Sequence, residues 1–313
     1  EYSSPMATAI PPLTDSEKLE FGPAAKTVQE KPGNIVIASY NIRYARGPRL
    51  ISGGLIRKAG LMSLKDRPAF ITKQISLAAR AFSEGKLLPA PHVLLLQEAD
   101  KRTIRSGGQH IAQHLATQLE MNWIHAPAGI PRGIKPVQRQ WWLDFEEPID
   151  LHDPGDTGVA FLSRLPVTDV TRIDLPWHEC PWRPRLAIAA TVAVGTFELR
   201  ILNAHVDPHA AVDGQLEQME VIAEEAERAS GPSLILGDFN TLSKKKSVET
   251  RSFLESRGYT TPFPTGTPTW RGAGLRLHAD WIFARGINIT RWGVARPLSV
   301  SDHWPIWVEV STA

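Results

Sequence analysis

Short continuous apolar runs and segments of helical spacing follow one another along most of this chain. Ile35-Val36-Ile37-Ala38-Ser39-Tyr40 is such a run, and others lie at 92–96, 159–163, 234–236, 279–283 and 305–310. Runs of this length, bounded by polar or turn residues, read as buried strands. Residues 186–194 and 197–204 read as a hairpin about Gly195. Between them, 68–82 repeats apolar residues at helical spacing through Phe70, Ile71, Ile75, Leu77 and Ala78. The segment 110–119 does so through Ile111, Leu115 and Leu119, and 215–228 and 247–256 are further helices. Both kinds of element recur without a break, so residues 34–313 are expected to form a single α/β domain with two packed sheets. Residues 1–33, with Pro5, Pro11, Pro12, Pro23 and Pro32, read as an irregular N-terminal arm. Residues 127–157, rich in Pro and Gly, read as a loop insertion.

Composition narrows the function classes. Of the 313 residues 42% are hydrophobic, enough for a sizeable core, and the net charge of +2 argues against a strong nonspecific polyanion binder. The single cysteine, Cys180, excludes an internal disulfide and a Cys-rich zinc site. It fits a reducing, cytoplasmic setting, and a secreted protein remains the alternative because the chain starts at Glu1. No run approaches the ~18 apolar residues of a membrane span. No protein partner can be inferred.

The chemistry concentrates at strand ends. After Leu236-Gly237, Asp238 and Asn240 stand two apart, which places both on one side of a strand's end. Asn41 follows Tyr40, Glu98 follows Gln97, Asn203 and His205 follow Leu202, Asp280 precedes Trp281, and Asp302 and His303 precede Trp304. Taken singly, each fits a cap, a turn or a satisfied core group as well as a reaction. Taken together, oxygen ligands at the ends of several strands suit a hard cation such as Mg²⁺.

The order of these pieces resembles the endonuclease/exonuclease/phosphatase superfamily, which includes deoxyribonucleases, abasic-site endonucleases, sphingomyelinases and inositol-phosphate 5-phosphatases. The matching segments are Ser39-Tyr40-Asn41-Ile42, Leu96-Gln97-Glu98, 158–164, Asn203-Ala204-His205-Val206, Gly237-Asp238-Phe239-Asn240, 279–283 and Ser301-Asp302-His303. The resemblance implies a four-layer α/β sandwich, two packed, mostly antiparallel β-sheets flanked by helices. It implies an Mg²⁺-dependent (or Mn²⁺-dependent) phosphoester hydrolase. Glu98, Asn41 and Asp302 would serve the metal; Asp238, Asn240, His303, Asp280 and His205 would be catalytic; Arg185 and Asn203 would meet the substrate phosphate. Arg185 reads equally well as a strand-edge charge. Arg43 and Ala204 depart from family patterns, and 127–157 carries no family motif.

Substrate class stays open between a phosphodiesterase or nuclease and a phosphatase or sphingomyelinase-like enzyme. A binding scaffold of the same fold is the non-catalytic alternative. The basic cast of Arg43, Arg46, Arg49, Arg57, Lys58, Lys65 and Arg67, with Lys244, Lys245 and Lys246, leans towards nucleic acid. Trp141, Trp142, Trp177 and Trp182 would suit a lipid surface or a pocket wall.

Overall fold

The computed structural model describes residues 18–22, 33–48, 66–132, 147, 149, 152–176, 184–194, 197–272 and 274–311. The four tryptophans above, the basic residues Arg49, Arg57, Lys58 and Lys65, and the hairpin turn at Gly195 lie outside them.

Both faces of the central strands are apolar, and this decides the architecture. In β2 (Asn34–Asn41), Ile35 and Ile37 pack into one cluster while Val36, Ala38 and Tyr40 pack into another. The same split occurs in β3 (Val93–Gln97), between Val93 with Leu95 and Leu94 with Leu96. A strand with two apolar faces must be covered twice. One cover is a second sheet. The other is a helical layer, α1 (Arg67–Ser83) and α2 (Ile111–Leu119), which supplies Ile71, Ile75, Phe82, Ile111 and Leu115.

The first sheet has seven strands in the order β1 (Glu20–Phe21), β4 (Asn122–Pro127), β5 (Gly158–Ser163), β3, β2, β14 (Ile306–Ser311) and β13 (Ile289–Val294). The second has five, in the order β12 (Asp280–Arg285), β9 (Ser233–Asp238), β8 (Phe197–His205), β7 (Leu186–Val194) and β6 (Val167–Asp174). Each sheet holds one parallel pair, β2 with β3 and β8 with β9, and is otherwise antiparallel. Helix α3 (Val212–Glu227) covers the second sheet through Met219, Ile222, Ala223 and Ala226, beside α4 (Lys244–Ser256). The sandwich therefore has four layers, as expected. A small hairpin, β10 (Trp270–Gly272) with β11 (Leu275–Leu277), lies apart from both sheets.

Two segments, the arm and the insertion, have described residues that are hydrogen-bonded to the rest of the fold. Within the arm, Glu20–Phe21 pairs with β4 and extends the seven-stranded sheet, a contact too short for periodicity to reveal. The described ends of 127–157 meet each other, Ala128 N donating to Thr157 O, and are tied to the body where Lys101 and Asp156 exchange backbone hydrogen bonds. Among the described residues, no helix is long and apolar enough to cross a membrane.

Gly237 shows how tightly the strand bearing Asp238 is built. Its φ is +140°, and a Cβ there would lie 2.0 Å from Ala204 O on the neighbouring strand. Gly237→Ala should therefore lower stability by about 2–4 kcal/mol, combining backbone strain and overpacking. A urea midpoint unchanged from the parent chain would contradict this packing.

Candidate active site

The parallel and antiparallel registers bring distant residues abreast. His205 of β8 and Asp280 of β12 both pair in register with Asp238 of β9. Register partners project to the same side of a sheet, so two acids and an imidazole share one small area. On the facing sheet, Asn41 ends β2 and pairs with Gln97, which ends β3. Glu98 follows immediately, with φ at +49°. Asn240 also has a positive φ, +50°. Non-glycine residues in this region are strained, and such strain is concentrated at functional sites.

The side chains then connect. Asn41 Nδ2 lies 3.0 Å from Glu98 Oε1 and 2.8 Å from Asp238 Oδ2, which links the two sheets. Asp238 Oδ2 is also 3.6 Å from His205 Nε2 and 3.7 Å from His303 Nε2. His303 Nδ1 is 2.8 Å from Asp280 Oδ2. One ligand atom from each of Asp238, Asp280 and His303 falls within 4.8 Å of the others. Asn240 N donates to Asp238 Oδ1 at 2.9 Å, while its side-chain amide donates to Val206 O. An Arg185 guanidinium nitrogen lies 2.9 Å from a ring nitrogen of His205. A small cleft opens beside them, lined by Glu98, Ala128, Thr157, Gly158, Pro184, Arg185, Leu186 and His205.

Burial and crowding set the charges. Burial lifts Asp238 to about 7, with His303 opposing and Asp280 reinforcing the rise. Burial alone would depress His303, but the Asp280 and Asp238 carboxylates overcome it and raise the ring to about 10. The imidazolium is thus the charged form at neutral pH. Asp280 Oδ1 is buried and has no hydrogen-bond partner. The Asp238, Asp280 and Glu98 carboxylates are oxygen donors of the kind that fits a hard divalent cation, while Asn41 donates from Nδ2 to two of them and accepts from Arg43 N at Oδ1.

A family model described as the endonuclease/exonuclease/phosphatase family matches residues 38–303. The chain belongs to this family. Its enzymes are phosphoester hydrolases, typically dependent on a divalent metal. Solved structures share the fold at low identity. A family protein from Leptotrichia buccalis is 15% identical, with 88% of this chain and 99% of that chain covered and a TM-score of 0.57. D. rerio TDP2, complexed with a single-strand DNA product, is 14% identical over 90% of this chain and 100% of that chain, at a TM-score of 0.57. A Bacteroides thetaiotaomicron mannosyl-6-phosphatase is 15% identical over 88% of this chain and 99% of that chain, at 0.53.

Two expected members of the site are placed differently. Asn203 does not face a substrate: Nδ2 donates to Leu96 O and Ala160 O, and Oδ1 accepts from Gln97 Nε2 at 2.5 Å. It is fully buried and stitches the sheets one level below the site. Asp302 accepts from Trp270 Nε1 at 3.0 Å and is paired with Arg43 at 3.1 Å, so a protein cation already neutralises it. Sequence reasoning missed the parts of Arg43, Gln97 and Trp270. Arg43 read as one charge of a basic loop, and only its position two residues after Asn41 marked it out.

Asp280→Asn tests the electrostatic arrangement directly. His303 has a folded pKa above its unfolded value of ~6.5, so its stabilisation is complete below pH ~6.5 and disappears as pH rises towards 10. In metal-free protein, Asp280→Asn should lower the His303 titration, followed by NMR, by about 1–3 pH units. The stability lost in the variant should be larger at pH 6 than at pH 10. An unmoved titration would contradict the role assigned to the Asp280 carboxylate.

Proposed function

We propose that this protein hydrolyses phosphodiesters, nucleic acid included, with Mg²⁺ or Mn²⁺ held by Glu98 and Asn41. The observation that carries the proposal is Asp238 Oδ2, poised between Asn41 Nδ2 at 2.8 Å and His303 Nε2 at 3.7 Å. A bound divalent cation screens the phosphate's negative charge and stabilises the leaving oxygen. Asp238 accepts the proton of the attacking water, and its pKa of about 7 is matched to that task. Asn240 positions that carboxylate through its backbone N–H. His303, kept cationic by Asp280, donates from Nε2 to a phosphate oxygen. Arg185 adds positive charge to the same wall of the cleft, beside the His205 ring. Asp302 acts through Arg43, whose guanidinium it holds beside the site.

A second reading, hydrolysis of a small phosphomonoester or lipid headgroup, is favoured by how few basic side chains near the site are left to meet a polyanion. Arg43 is paired with Asp302, and Arg46 and Arg67 with Glu147, so these charges are already engaged. Exposed Lys244 and Lys245 are the described cations from the basic segments that favour a nucleic-acid backbone.

The test is a substrate panel with and without chelator: plasmid DNA, RNA, bis(p-nitrophenyl) phosphate, p-nitrophenyl phosphate, inositol phosphates and sphingomyelin. Mg²⁺-dependent turnover of diesters is expected, with Asp238→Asn and His303→Ala each folded and at least ~10²-fold slower. Turnover of monoesters alone, or of sphingomyelin with neither nucleic acid nor bis(p-nitrophenyl) phosphate cleaved, would replace the proposal by the second reading. Full activity in either variant, or in chelator, would overturn the assigned chemistry.

A further inference from the structure

A second cluster of metal-ligating side chains lies at the other edge of the seven-stranded sheet from β13. Glu20 of β1 and His125 of β4 are register partners, so their side chains share one side of the sheet. His110, at the N-terminus of α2, approaches the same point. One ligand atom from each of the three lies within 4.8 Å of the others. Glu20 Oε2 is 3.3 Å from His110 Nε2 and 3.9 Å from His125 Nδ1. These separations are close to the edge of a zinc tetrahedron, about 3.3 Å for ligands ~2.0 Å from the metal.

His125 supplies the independent observation. Its ring is wholly buried, and Nε2 lies 2.8 Å from Ala99 O. A carbonyl can only accept, so Nε2 carries the proton and Nδ1 presents a bare lone pair. That Nδ1 is buried without a hydrogen-bond partner and faces the Glu20 carboxylate, which is also a lone-pair donor. A carboxylate lone pair turned towards the bare nitrogen of a buried ring calls for a cation between them. A histidine anchored by a backbone carbonyl at one nitrogen, with the other nitrogen free to ligate, is the usual arrangement around a bound metal.

We propose that Glu20, His110 and His125 form a second cation site, for a borderline divalent metal of the zinc class, that staples the N-terminal strand to the seven-stranded sheet. Mixed imidazole and carboxylate donors favour such a metal over Mg²⁺. Burial holds both histidines below their ordinary values, His125 down to about 3, so both are neutral and able to ligate at pH 7. Lys101 pairs with Glu20 through Oε1, which leaves Oε2 for the metal and lets the ammonium balance the carboxylate from outside. Ligation through His110 Nε2 moves that ring's proton to Nδ1 and releases the Gln113 N–H, whose bond to Nδ1 is a long 3.4 Å. The site is distinct from the one at Asp238. It still touches it indirectly, because Ala99, which anchors His125, follows Glu98.

The experiment starts from the full chain carrying Glu98→Gln, which removes the proposed catalytic cation site. Calorimetric titration with ZnCl₂ should show one equivalent bound, and CoCl₂ should give the strong visible absorption of tetrahedral Co²⁺. Adding Glu20→Gln, on a quarter-exposed side chain of an edge strand, should weaken Zn²⁺ binding by at least ~100-fold and abolish the Co²⁺ band. His110→Ala should do the same. The NMR signals of the His125 ring should shift on Zn²⁺ addition in the Glu98→Gln chain, a readout that needs no variant at the new site. Zn²⁺ affinity unchanged by Glu20→Gln, or a His125 ring indifferent to Zn²⁺, would overturn the proposal while leaving the phosphoester chemistry untouched.

Discussion

One hydrogen bond joins the two halves of the sandwich where it matters: Asn41 Nδ2 to Asp238 Oδ2, 2.8 Å, between the ends of β2 and β9. Below it the sheets meet through apolar side chains, which hold them together without fixing how one sits on the other. Polar groups do that fixing. One level down, Gln97 Nε2 donates to Ser39 Oγ and Asn203 Oδ1, and Asn203 Nδ2 donates to two carbonyls of the facing sheet. A buried hydrogen-bond network of this kind is directional, so it sets the register of the sheets at the end that carries the acids.

That register creates the electrostatic problem the site uses. Asp238 and Asp280 are abreast on adjacent strands and both are buried. In a low-dielectric interior neither charge is comfortable. The fold answers with His303 between them, 2.8 Å from one carboxylate and 3.7 Å from the other, and with Asn41 donating to Asp238. The loop bearing His303 is itself held by Trp270, Arg43 and Thr269, through Asp302 and the Trp304 N–H. Proton affinities separated in this way give a carboxylate able to accept a proton near neutrality beside an imidazolium able to donate one. Left-handed backbone at Arg43, Tyr44, Ala45, Glu98 and Asn240 surrounds the same spot, so local strain is spent on aiming groups.

Much of this was legible in the primary structure, and the remainder was hidden for definable reasons. Unbroken runs such as 93–96 announced strands covered on both faces. Strands β4, β6 and β13 were missed because they carry more polar residues and lie nearer sheet edges, where β6 and β13 leave many side chains half-buried or exposed. Strand-end polar residues identified the active corner, but linear position carries no information on depth. Asn203 and His205 stand two apart on one strand, yet the first is sealed between the sheets and the second borders the cleft. Arg43 looked like surface charge, whereas it is buried against Asp302. Glu20, His110 and His125 share no spacing at all and meet because β1 adds to β4 beside the start of α2.

The claim beneath all of this is that side chains from both sheets enclose one oxygen-lined cation position next to Asp238. Crystals soaked in Mn²⁺ and measured at wavelengths where manganese scatters anomalously would locate that position. The ion should lie about 2–2.5 Å from a Glu98 carboxylate oxygen, on the side facing Asn41 and Asp238. Manganese bound elsewhere, with Glu98 left outside its coordination sphere, would contradict it.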